Sequence, residues 1–133
     1  MKKVVLVGHC GADSSYLRIA VHSAGAAGVS VVAADDQESL DAVLQNGAEL
    51  VLINRVLDWG FDAEEGVALI ARLRQTHPHV KTMLISNYAE SQAAAVAAGA
   101  LPGFGKREIG TPKVKQLLQD ALTQSTISAK VSG

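Results

Sequence analysis

Several short apolar runs of this sequence end on side chains that could take part in chemistry. His9 and Cys10 follow the first run, and Asn54 directly follows a later run of Leu, Val and Ile. Ser86 and Lys106 follow two runs further along the chain. An amide such as Asn54 cannot act as a carboxylate nucleophile. His9 and Cys10 are soft-metal ligands by type, but adjacent loop residues point apart and no nearby second pair has ligand spacing. We therefore predict no metal site.

These side chains must be positioned by strands. Runs rich in β-branched and aliphatic residues predict five of them: Lys3–Val7, Val29–Ala33, Leu50–Ile53, Val80–Ile85 and Leu101–Gly105. Helical spacing of apolar residues predicts five helices, the first capped by Asp13 or Ser14 and the last beginning at Thr111-Pro112. Alternating strands and helices require right-handed crossovers, hence a parallel sheet covered on both faces. In such a sheet, ligands bind at the carboxyl ends of the strands.

Composition limits the classes of function. The 133 residues suit one domain with a substantial core, since 48% are hydrophobic, and the formal net charge of -1 gives no basic footprint for nucleic acid. The single cysteine excludes an internal disulfide and favours a reducing compartment. No apolar run approaches the ~20 residues of a membrane span, and the apolar start is too short for a signal peptide. We expect a cytoplasmic protein that binds neither nucleic acid nor membrane.

Over residues 1–122 the sequence resembles the receiver domain of two-component response regulators. The segments that carry the resemblance are Val4–Val7, Asn46–Ile53, Glu65–Arg74, Met83–Ser86, Ala97–Ala100 and Gly103–Lys106. The resemblance implies an α/β, flavodoxin-like (CheY-like), doubly wound (βα)5 fold with a five-stranded parallel sheet of strand order 2-1-3-4-5. Residues 123–133 lose periodicity and are predicted to form a flexible C-terminal tail.

The resemblance also assigns residues to the family's phosphorylation pocket. Ser86 matches its hydroxyl and Lys106 its lysine, but Asn54 stands where the phosphorylated aspartate is expected. Gly8 and His9, with Cys10 next, replace the acidic pair that helps to hold magnesium. An amide cannot form an acyl phosphate. The resemblance thus implies an atypical receiver, or pseudo-receiver, that uses no cofactor, is not an enzyme and acts in signal transduction through phosphorylation-independent protein binding.

Features near this pocket also depart from the family. Phe104 lies one position nearer the lysine than the family's switch aromatic, and Arg107 replaces the usual proline. The loop after Asn54 is several residues longer than usual. Its acidic residues Asp58, Asp62 and Glu64 are either candidate partners for Lys106 or solvated. Its aromatic residues Trp59 and Phe61 are either a plug over the sheet edge or an exposed contact patch.

The binding surface expected by analogy covers about Glu90 to Leu122. In the family this surface often forms dimers, and the alanine-rich stretch Ala93–Ala98 would allow close helix approach. We therefore expect an unidentified protein partner, with a homodimer as one form.

The loop from Cys10 to Ser15 supports a different class of function. It resembles the phosphocysteine loop of the sugar phosphotransferase-system B components, in which amides at a helix N-terminus activate the thiol and cradle a phosphoryl group. That alternative explains neither Ser86 nor Lys106. A third hypothesis makes Cys10 a redox-sensing thiol on a receiver-like scaffold.

Overall fold

A computed structural model describes residues 2–25, 28–57 and 60–123. Its five parallel strands form one sheet in the order β2-β1-β3-β4-β5. The strands are β1 (Lys2–Val7), β2 (Val29–Ala34), β3 (Leu50–Asn54), β4 (Lys81–Ile85) and β5 (Leu101–Phe104). The helices are α1 (Gly11–Gly25), α2 (Gln37–Gln45), α3 (Gly66–Thr76), α4 (Ala89–Ala97) and α5 (Pro112–Thr123), with a 3-10 turn at Lys106–Glu108. The predicted fold class and strand order are confirmed.

The sheet separates two apolar layers, because successive side chains of a strand point to opposite faces. Val4 and Leu6 of β1 face α1 and α5, where Leu17 and Leu118 are fully buried. Val5 and Val7 face the layer formed with α2, α3 and α4. Of the predicted C-terminal tail, residues 124–133 lie outside the described part of the chain.

Helix α1 begins earlier than predicted. Asp13 and Ser14 were the expected caps, but the helix starts at Gly11. The backbone N–H of Asp13 donates to Sγ of Cys10 at 3.5 Å, and the N–H of Ser14 donates to the Cys10 carbonyl at 2.9 Å. Cys10 therefore occupies the N-cap position, which leaves the Asp13 carboxylate free for another partner.

Lysines at the amino ends of two strands hold the last turn of α5. Lys81, at the start of β4 and almost fully buried, forms an ion pair with Glu49 at 2.5 Å and donates to the carbonyl of Ala121. Lys2, at the start of β1, donates to the carbonyl of Leu122. Cations at a helix C-terminus satisfy its unpaired carbonyls.

None of the helices within the described ranges is long and apolar enough to cross a lipid bilayer.

Candidate functional site

Asn54 ends β3 at the carboxyl edge of the sheet, where its amide joins two loops. Its Nδ2 donates to the carbonyl of Gly8 at 3.2 Å and to that of Val56 at 3.0 Å. Both amide hydrogens are thus used on backbone carbonyls. A carboxylate has no hydrogen to donate, so an aspartate could not make this bridge.

Gly8 cannot be replaced by an acidic residue without strain. Its φ is +75°, a conformation that side-chain-bearing residues rarely adopt. A Cβ built on it would lie 2.7 Å from Cδ2 of Leu57, which is itself buried. An acidic side chain at position 8 is therefore disfavoured on steric grounds in this chain.

His9 is buried, with 8% of its surface exposed. Its Nε2 lies 2.9 Å from the carbonyl of Leu52, to which it must donate, while Nδ1 has no hydrogen-bond partner among the described residues. Burial lowers the pKa of His9 below its usual value, the Leu52 carbonyl opposes that shift, and Lys106 adds to it. Burial therefore favours the neutral imidazole over the charged form. Within the described part of the chain, no three His, Cys, Asp or Glu side chains are placed to hold a metal ion.

Lys106 pairs with Asp13, at 2.8 Å between Nζ and Oδ2. Of the candidate partners in the loop after Asn54, Asp62 and Glu64 form no ion pair with Lys106, and Asp58 lies outside the described residues. Asp62 instead lies 3.5 Å from Arg72. Phe61 and Ala63 of this loop join the layer with α2, α3 and α4.

The ion pair with Lys106 changes the electrostatic environment of the Asp13 carboxyl. The hydrogen bond from Lys106 is the main cause that lowers the pKa of the Asp13 carboxyl, and the thiol of Cys10 acts in the same direction. Asp13 thus supplies the negative charge that Lys106 lacks from Asn54. It does so from the first turn of α1 rather than from a strand end.

Ser86 follows β4 and is buried. Its Oγ accepts from the backbone N–H of Tyr88 at 3.1 Å, so its own O–H remains available as a donor. The neighbouring Asn87 accepts from the N–H of Arg107 at 3.2 Å through Oδ1.

Arg55 and Tyr88 are site residues that the sequence did not indicate. The guanidinium carbon of Arg55 lies 4.8 Å from the centroid of the Tyr88 ring, which is a cation–π contact. Both flank residues that were predicted, since Arg55 follows Asn54 and Tyr88 lies two residues after Ser86. That proximity was the one available signal, and it says nothing about a contact between them.

A cavity of about 240 Å³ collects these side chains at the carboxyl edge. Its polar lining consists of Asn54, Arg55, Ser86, Asn87, Tyr88 and Lys106. Among the described residues, the lining contains two cationic groups and no carboxylate. Of the predicted pocket residues, Asn54, Ser86 and Lys106 meet here. Gly8 and His9 do not line the cavity: the Gly8 carbonyl accepts from Asn54, and His9 donates to the carbonyl of Leu52. Cys10 is exposed at the start of α1.

The aromatic residues of the region are packed inward. Phe104 is buried in the layer beneath α1 and α5, and Phe61 is buried in the opposite layer. Phe61 therefore packs as a plug rather than as a contact patch, while Trp59 lies outside the described residues. Nothing in this arrangement displays Phe104 on the surface.

Gln92 of α4 closes a break in the sheet beside the cavity. Its Nε2 lies 2.8 Å from the carbonyl of Leu84, 3.1 Å from that of Ser86 and 3.3 Å from that of Phe104. Its Oε1 accepts from the N–H of Gly103 at 3.1 Å. The ladder between β4 and β5 is irregular at this place, so the side chain takes over bonds that the strands do not make.

Comparisons with known proteins identify the fold. The signal receiver domain of a DNA-binding response regulator from Colwellia psychrerythraea 34H has a TM-score of 0.72 at 13% identity, covering 93% of this chain and 100% of its own. The N-terminal signal receiver domain of a two-component response regulator from Bacteroides fragilis has a TM-score of 0.73 at 18% identity, covering 94% and 99%. NtrX from Brucella abortus has a TM-score of 0.73 at 22% identity, over 99% of this chain but 29% of its own.

At these identities the likeness shows the fold, and the chain has the architecture of a response-regulator receiver domain. No protein-family model matches the sequence. No curated protein is similar to it in sequence. What the receiver fold does in this chain must therefore be argued from the site itself.

Proposed function

We propose that this chain is an atypical receiver module that acts in two-component-type signalling by binding a protein partner without being phosphorylated. The observation that carries the proposal is the engagement of both Asn54 amide hydrogens on the carbonyls of Gly8 and Val56. An amide cannot form an acyl phosphate, and this amide serves as a structural crosslink. The residues that replace the acidic pair, Gly8 and His9, offer no carboxylate for magnesium.

The proposed output surface is the face around α4, β5 and α5, from about Glu90 to Leu122. Helix α4 leaves Ala93, Ala94 and Ala97 exposed, and 45% of the Val96 surface is exposed beside them. Small side chains allow two helices to approach closely, and exposed apolar surface favours burial on association. A homodimer through this face is the proposed form, and an unidentified protein partner is its alternative occupant.

Two measurements test the proposal. Intact-mass analysis follows exposure to magnesium with acetyl phosphate and, separately, to a phosphohistidine donor, and we expect no phosphoryl gain from either. A gain that Cys10→Ser abolishes would replace the proposal with the phosphocysteine alternative.

Light scattering coupled to size exclusion measures association. We expect a dimer that Ala94→Glu or Ala97→Glu converts to monomer, while Ala71→Glu, the same change at an exposed alanine of α3, leaves it intact. A strict monomer at all concentrations would remove the homodimer from the proposal.

A further inference from the structure

Helix α2 is followed by Asn46, its C-cap residue, and by Gly47, and both are exposed. Of the three asparagines in the chain, Asn46 is the one that precedes a glycine, whereas Asn54 and Asn87 precede residues with large side chains. Gly47 has no side chain to hinder its backbone nitrogen. Apart from its chain neighbours, no described residue places an atom within 4 Å of a Cβ built on Gly47. The pair is therefore open to water.

An exposed asparagine before a glycine can lose ammonia without an enzyme, and asparagine is accordingly one of the thermolabile residues. The backbone nitrogen of Gly47 gives up its proton and attacks Cγ of Asn46, and the Nδ2 group leaves as ammonia. Water then opens the resulting five-membered imide at one of its two carbonyls, which gives an aspartyl or an isoaspartyl residue. Water is the only other reactant, and the net change is an amide exchanged for a carboxylate and ammonia.

The folded end of α2 restrains the groups that this reaction uses. The backbone N–H of Gly47, which carries the nucleophile, donates to the carbonyl of Leu44 at 3.1 Å. The leaving group, Nδ2 of Asn46, donates to the carbonyl of Ala42 at 3.1 Å. The ψ angle of Asn46 is −2°, which holds the Gly47 nitrogen away from Cγ, because ring closure requires that nitrogen to eclipse Cβ. All three restraints end when the last turn of α2 opens.

We propose that Asn46 is a deamidation site whose reaction is controlled by the last turn of α2: the chain is modified there when the turn is open and is protected while the turn is closed. Proteins open locally with free energies well below that of global unfolding, and helix ends are among the first parts to open. The reaction therefore requires only the end of one helix to unravel. This inference goes beyond the proposed function and depends neither on a partner nor on the cavity at the carboxyl edge.

The product does not rebuild the helix end that it replaces. A carboxylate has no hydrogen to donate, so the bond from Asn46 to the Ala42 carbonyl is lost. The new negative charge also lies at the C-terminus of α2, where the helix dipole disfavours anions. The loss of ammonia makes the step irreversible. Each modified chain consequently keeps a helix end that opens more easily, as a chemical record of an earlier opening.

The test is peptide mapping by mass spectrometry after the full chain has been incubated in a mildly alkaline buffer, with and without guanidinium chloride. In denaturant we expect Asn46 to deamidate faster than Asn54 and Asn87. Without denaturant the rate at Asn46 should be at least about tenfold lower, which corresponds to an opening free energy of about 1.4 kcal/mol. Equal rates at Asn46 in the two buffers would overturn the protection by α2, and equal rates at the three asparagines in denaturant would overturn the choice of site.

Two matched glycine variants distinguish opening of α2 from unfolding of the whole chain. Gln45 is exposed in the last turn of α2, and Gln116 is exposed on α5. Without denaturant, Gln45→Gly should raise the rate at Asn46 by up to about fivefold, since glycine costs a helix about 1 kcal/mol. Gln116→Gly should raise it less, and the two variants should react equally fast in guanidinium chloride. Equal rates without denaturant would assign the reaction to global unfolding and overturn the control by α2.

Discussion

An amide and a carboxylate of the same size have opposite effects at position 54. The Asn54 side chain donates twice, to carbonyls of two different loops. Aspartate would place a carboxylate oxygen against one or both of those carbonyls. Asn54 therefore connects the residue after β1 to the loop after β3.

Asn54→Asp is expected to destabilise the fold by about 0.5–1.5 kcal/mol, the net contribution of a typical hydrogen bond, because one of the lost bonds is part-buried and the other exposed. The loss should exceed that of Asn54→Ala, which removes the same bonds without adding a charge. It should shrink at acid pH, where a protonated carboxyl regains one donor. Urea unfolding at pH 7 and pH 4 measures these differences, and an Asp variant as stable as the wild type at pH 7 would show that the bridge is dispensable.

The ion pair of Asp13 and Lys106 makes a second residue-scale prediction. Lys106 lowers the pKa of Asp13, so the pair stabilises the fold above the ordinary carboxyl pKa of about 4 and loses that effect as pH falls through the lowered pKa. The Lys106 side chain is 39% exposed and that of Asp13 is 23% exposed, so the pair contributes about as much as a surface ion pair, about 0.2–1 kcal/mol.

Asp13→Asn should therefore reduce the free energy of unfolding at pH 7 by about this amount and have less effect at pH 2.5 to 3. High salt should reduce the difference at pH 7, because it screens exposed charges. Urea titrations of the two proteins at both pH values provide the measurement. A deficit that persisted unchanged at the lower pH would assign the effect of Asp13 to something other than its charge.

At the scale of elements, the position of α4 depends on one side chain. Gln92 bonds to the backbone of β4, of β5 and of the loop between β4 and α4. The close approach of β5 to β4 at this point requires glycine at position 103, since a Cβ there would lie 2.2 Å from the carbonyl oxygen of Leu84. Helix α4 and the end of β5 are consequently joined by side-chain bonds where the strand ladder is broken.

Gln92→Ala should cost about 1–3 kcal/mol, because it leaves backbone groups at the sheet edge without their partners. Hydrogen exchange should become faster at Gly103 and along α4, and should change little in β1 and β3. Gln116→Ala is the control, since Gln116 is exposed on α5 and, among the described residues, its side chain bonds only to Asp120, at 2.9 Å. Equal exchange profiles for the two variants would show that Gln92 does not hold α4.

Periodicity predicted these elements well, but not how their ends meet. The strands were placed to within a residue or two because buried parallel strands are near-continuous apolar runs. Cys10 was missed as a helix cap because cysteine is not among the usual capping residues. Asp13 was missed as the partner of Lys106 because spacing does not show that the first turn of α1 approaches the end of β5, while Asp62 lies near Arg72. The Arg55–Tyr88 contact joins separate loops, which periodicity does not relate.

For the whole molecule, His9 links global stability to pH. Its pKa is lowered by burial, so the unfolded chain binds a proton that the folded chain does not, once pH falls below about 6.5. Stability should then decline with decreasing pH by up to about 1.4 kcal/mol per pH unit, until the lowered pKa is reached. The other histidines, His22, His77 and His79, are also present in a His9 variant, so their contributions to the pH dependence cancel when the variant is compared with the wild type.

His9→Gln should remove this slope between pH 7 and pH 5, whatever its effect on stability at pH 7. Thermal or urea unfolding of both proteins across that range measures the slope. A variant with the same slope as the wild type would show that His9 does not control the response.

The hydrogen bonds from Lys2 and Lys81 to the last carbonyls of α5 have a practical consequence. It fixes Thr123 at the amino edge of the sheet, whereas Asn54, Ser86 and Lys106 lie at the carboxyl edge. A reporter protein or immobilisation tag joined after residue 123 would therefore leave the cavity open to solutes. A tag placed near Cys10 would stand beside the ion pair of Asp13 and Lys106 and perturb the site it was meant to report on.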